Sequence, residues 1–67
     1  MSADEALARA EQLLGQLDER RVALEQLAEA GDVDGDAAVD LIAEIAELAR
    51  QIEAELTEAR TIADAAG

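Results

Sequence analysis

The chain has 67 residues, of which 51% are apolar, none aromatic, and 17 acidic against five basic, for a formal charge of −12. His, Cys, Lys and Pro are absent, so imidazole or thiol catalysis and thiolate metal sites are excluded. The acid excess argues against direct nucleic-acid binding, where a basic patch is the usual footprint, and against anionic membrane surfaces.

The first predicted element is a helix over residues 3–30. Ser2-Ala3-Asp4-Glu5 fits a capping box, with Ser2 as N-cap and Glu5 at the third helical position. Asp4 and Glu5 also suit the positive end of the helix dipole. With Ala3, Ala10, Leu17 and Leu24 as heptad position a, position d holds Ala6, Leu13, Arg20 and Leu27. Position e then holds Leu7, Leu14, Arg21 and Ala28. Gly15 is unfavourable inside this helix by about 1 kcal/mol relative to alanine. Gly31 suits the left-handed residue that ends a helix.

Residues 31–35, Gly31-Asp32-Val33-Asp34-Gly35, form the predicted turn. Its acids invite a calcium reading, but an EF-hand loop starting at Asp32 would put Ala37 where Gly is needed and Ala43 where Glu is needed. A capping, solvated acidic turn is the expectation, with no metal and no cofactor.

The second predicted helix covers residues 36–64, with Asp34 or Asp36 as its N-cap. Position a holds Ile42, Ala49, Leu56 and Ala63, position d holds Ala38, Ile45, Ile52 and Ala59, and position g holds Leu41, Leu48, Glu55 and Ile62. Fraying is expected after Ile62, because the terminal alanines have little to pack with.

So short a connection makes two long helices antiparallel. The predicted fold is all-α: one antiparallel two-helix hairpin, a coiled coil spanning 1–67, completed by self-association or a partner. The predicted seam is Leu14, Leu17, Leu24, Ile42, Ile45, Ile52 and Leu56, pairing Leu24 with Ile42 and Ala10 with Leu56. Arg9 and Glu55 fall close enough for an interhelical ion pair. In this frame the extra apolar residues lie on opposite flanks, Leu7 and Leu14 on one and Leu41, Leu48 and Ile62 on the other. Leu7, Leu41, Leu48 and Ile62, with Arg20 and Arg21, are the predicted partner contacts. The arginine stems would cover the core edge and their guanidinium groups reach water or a partner's carboxylates.

Glu44 with Glu47, and Glu55 with Glu58, have the spacing of carboxylate-bridged di-iron helices, but those sites also need histidine. Ser2, Thr57 and Thr61 are the only hydroxyls, and no general base accompanies them. The chain therefore carries no catalytic residues of its own, although an enzyme could own it as an accessory subunit. No apolar run approaches a membrane span, and Met1 to Glu5 is no basic signal start, so the cytoplasm is the default location.

From Glu29 to Arg60 the chain resembles the small subunit of exodeoxyribonuclease VII. Glu29-Ala30-Gly31-Asp32-Val33 matches that family's turn, and Asp36-Ala37-Ala38-Val39 matches its Glu-Glu-Ala-Leu. Leu41, Leu48-Ala49, Leu56 and Ala59-Arg60 continue the register. The chain departs from the pattern at Asp34 and Gly35, where Pro-Leu is usual, at Ile42, where an aromatic is usual, and at Ile45, where Gly is usual. The resemblance implies a non-catalytic hairpin that binds helices of a large subunit, which carries the active site for single-stranded DNA. Two other expectations stand beside it: a self-assembling structural hairpin without an enzyme, and an acidic inhibitor that occupies a nucleic-acid site by charge mimicry.

Overall fold

A computed structural model describes residues 2–31 and 35–66. They form two helices, α1 (Ala3–Glu29) and α2 (Gly35–Ala66), with no strand among them. The helices pack against each other along their length and run antiparallel, as shown by cross-links between Arg9 and Glu55 and between Arg20 and Glu44. The molecule is a rod 52 Å long and about 14 Å across.

Local signals explain the ends of α1. Ser2 is extended (φ −90°, ψ 160°), and its Oγ accepts from the Glu5 N–H at 3.1 Å. This satisfies one of the amides that a helix start leaves without a partner. At the other end the Ala30 N–H donates to the Gln26 carbonyl at 3.0 Å and the Gly31 N–H to the Ala28 carbonyl at 3.3 Å. Gly31 has φ +68°, a conformation that a β-carbon would strain.

The bounds of α2 differ from the reading made on sequence. Its N-terminus is at Gly35, so Asp36 sits in the first turn and does not cap it, while Asp34 lies outside the described residues. There Asp36 still complements the helix dipole. At the far end α2 continues to Ala66 instead of fraying after Ile62. Alanine has the highest intrinsic helix propensity, which sustains a last turn without packing partners.

The hairpin encloses very little. Among the described residues only Ala6, Ala10 and Ala59 are buried, and no larger side chain is fully enclosed. Alanine at these positions lets the backbones approach closely, but it contributes little apolar area.

Candidate interaction surface

Every a and d residue of α1 (Ala3, Ala6, Ala10, Leu13, Leu17, Arg20, Leu24 and Leu27) is buried or half-buried. On α2 the covered residues are Ala38, Leu41, Ile45, Leu48, Ile52, Glu55, Ala59 and Ile62, again at alternating spacings of three and four, with Ala37 beside them in the first turn. The seam of α2 therefore uses the predicted d and g positions, not a and d. Of the predicted seam, Leu17, Leu24, Ile45 and Ile52 are half-buried, whereas Leu14, Ile42 and Leu56 are 57%, 55% and 47% exposed. Leu14, Ile42 and Leu56 are thus corrected to the outside of the hairpin.

The reason is volume. The g column offers three large aliphatic side chains, Leu41, Leu48 and Ile62, while the a column offers only Ile42 and Leu56 with two alanines. Turning the richer column inward buries more apolar surface. Its one polar member, Glu55, is accommodated because its Oε2 accepts from Arg9 Nε at 3.2 Å.

This single step of rotation changes the character of both flanks. In an antiparallel pair the columns beside each seam face one another across the groove. Leu7 and Leu14 of α1 now face Ile42, Ala49 and Leu56 of α2, which the sequence frame placed in the seam. Leu7, Ala10, Glu11, Leu14, Ile52 and Leu56 together line an open depression of about 230 Å³ on this flank. The expectation that one seam leaves apolar residues on two sides is corrected: the exposed leucines and Ile42 are gathered on one, where Arg21 interrupts the α1 column, while Val22 is exposed on the outer face of α1.

The other flank is polar. Arg20 Nε lies 3.1 Å from Glu44 Oε2, and a second shallow depression there is lined by Gln16, Arg20, Glu44, Glu47 and Leu48. Leu41, Leu48 and Ile62, assigned on sequence to partner contact, are half-buried in the hairpin itself, as is Arg20. Leu7 is 43% exposed. Arg21 is exposed and tied to its own helix, with Nη1 2.6 Å from Glu25 and Nη2 2.9 Å from Asp18. The Asp18 hydrogen bond, then the charges of Glu25 and Asp18, raise its already high pKa, so it stays cationic. Glu47 accepts from Arg50 Nη2 at 2.8 Å and Nε at 3.3 Å, and from Gln51 Nε2 at 3.4 Å. Those bonds, Arg50's first, and the Arg50 charge hold its carboxyl below the usual carboxylate range.

No group of three or more acids, His or Cys that could hold a metal ion occurs among the described residues. Nor is any described helix long and apolar enough to cross a membrane. No family model matches the chain, and comparisons with curated proteins and with solved structures return no match.

Proposed function

We propose that this chain is a non-catalytic, acidic helical-hairpin interaction subunit that docks on partner helices. One observation carries the reading: the described hairpin buries three alanines and leaves Leu7, Leu14, Ile42 and Leu56 on one exposed flank. A two-helix unit with so small a core gains stability from whatever covers that flank, because binding to the folded form shifts the folding equilibrium. The acidic exterior keeps the chain soluble and directs it to protein rather than to phosphate backbones. The resemblance over Glu29 to Arg60 adds a candidate partner, the large subunit of a single-strand-specific exodeoxyribonuclease, and a cytoplasmic setting belongs to the same reading.

Affinity purification of the full chain from its own cells tests this. A large nuclease subunit recovered in stoichiometric amount, and lost with Leu7→Asp, supports the accessory-subunit form. Recovery of a basic nucleic-acid-binding protein in its place would replace that form with charge mimicry. A helical chain that binds nothing, itself included, contradicts the whole reading.

A further inference from the structure

We infer that the depression walled by Leu7, Leu14 and Leu56 receives one helix of a basic partner, an amphipathic segment whose apolar stripe is bordered by Lys or Arg. The inference rests on the interaction reading above and names the chemistry of the partner.

Shape sets the kind of ligand. Ala10 and Ile52, at the seam, form the floor of this groove, and the exposed Leu7 and Leu14 of α1 and Leu56 of α2 form its sides. A groove between two packed helices accepts one further helix, whose apolar side chains enter it at spacings of three and four. From Leu7 to Leu14 is two turns, about 10 Å at 1.5 Å per residue. Beyond Leu14 the α1 wall gives way to Arg21, which Asp18 and Glu25 hold, so the site ends there. So small an area belongs to weak, exchanging contacts, in which charge selects the partner.

Charge names the occupant. In the register fixed by Arg9–Glu55 and Arg20–Glu44, Glu11 of α1 and Glu53 of α2 are level with each other. Both are exposed, and they flank the leucines from either side, Glu11 lining the depression itself. The described ion pairs tie Arg9, Arg20, Arg21 and Arg50 to other acids, so those arginines do not neutralise this pair. Nearer the open end, Asp4 and Arg60 are level and opposite in sign, which leaves Glu11 and Glu53 as the excess charge at the groove. A third helix laid between the leucines sets its e and g positions against these two rims, where Lys or Arg forms the pairs that fix partner choice. The charge of −12 on the whole chain draws in such a segment and repels another copy of the chain, nucleic acid and anionic lipid.

The test is fluorescence anisotropy of the full chain against two labelled peptides of about 14 residues. Each is two heptads with leucine at a and d, bordered at e and g by lysine in one and by glutamate in the other. The lysine peptide is expected to bind at least about tenfold tighter, with the preference shrinking in about 0.5 M salt. Leu14→Ala, which keeps a good helix former, should weaken the lysine peptide about fivefold, because docking covers a side chain now half in water. Glu11→Gln and Glu53→Gln should each weaken it about threefold. Glu58→Gln makes the same change in net charge on the opposite face of α2 and should leave it within about 1.5-fold. Glutamine at 11 or 53 keeps the helix, as circular dichroism of the same samples records, so a loss there reports contact and not unfolding. Equal binding of the two peptides overturns the basic partner, as does no binding of the lysine peptide. A cost at Glu58 equal to that at Glu11 and Glu53 overturns the groove as the site, since binding would then follow net charge alone. Docking on partner helices in general is tested separately, by co-purification and its loss in Leu7→Asp.

Discussion

Arg9 Nε donates to Glu55 Oε2 across 3.2 Å, joining positions 46 residues apart in the chain. Glu55 stands in the inward column of α2, between Ile52 and Ala59, and its side chain is less exposed than that of Arg9. A carboxylate in an apolar column is tolerated when a guanidinium meets it, but an aliphatic residue of similar volume is often better. Glu55→Leu should therefore raise stability by about 1 kcal/mol in thermal melts at fixed concentration. Glu55→Gln should lower it by about 0.5 kcal/mol, the scale of a partly exposed pair. A destabilising leucine would place position 55 outside the seam.

Two glycines on α1 should respond in opposite directions. An added β-carbon at Gly15 meets nothing within 4 Å, and the site lies on the outer face of a continuous helix. Gly15→Ala should stabilise by about 1 kcal/mol, the difference in helix propensity. Gly31 also has open space, but its φ of +68° disfavours any β-carbon, so Gly31→Ala should destabilise by about 1 kcal/mol. Urea unfolding of both variants at one protein concentration checks the pair.

Acid should loosen the middle of α2 locally. Glu47 is held below the usual carboxylate range, first by its hydrogen bond from Arg50. A carboxyl whose folded pKa is depressed adds stability above its unfolded value, near pH 4.3, and loses it as pH falls through the folded value. Side-chain NMR titration should find the Glu47 midpoint below that of an unstructured glutamate. Arg50→Gln should move it upward. An unshifted midpoint in the wild type would mean that the Arg50 tie does not persist in solution.

Much of the architecture is legible in the residues. Ser2 before Ala3-Asp4-Glu5 and Gly31 after Glu29 mark the ends of α1 through local hydrogen bonding, which needs no tertiary information. The α1 frame is also legible, because leucine continues through Leu13, Leu17, Leu24 and Leu27, whereas the adjacent column of Leu7 and Leu14 gives way to Arg21 and Ala28. The face of α2 is not, since Leu or Ile occupies three adjacent columns, at Leu41, Ile42 and Ile45 and again at Leu48, Ile52 and Leu56. Such a wide stripe admits a seam on either side of the Ile45–Ile52 column, and periodicity alone does not choose. The deciding information lies across the groove, where burying three aliphatics and pairing Glu55 with Arg9 favours the column through Leu48. The location of the interaction surface depends on that choice, so the flank occupied by Leu14, Ile42 and Leu56 emerges only when both helices are seen together.

The most direct measurement compares Ile45→Ala with Ile42→Ala by far-UV circular dichroism across a dilution series. The first residue faces the seam and the second is 55% exposed. Ile45→Ala should lose helicity and melt earlier at every concentration, by about 2 kcal/mol. Ile42→Ala should stay within about 0.5 kcal/mol of the wild type, as expected of a largely exposed side chain. If Ile42→Ala instead lost stability at all concentrations while Ile45→Ala was harmless, α2 would turn its other face inward and the single apolar flank would not exist.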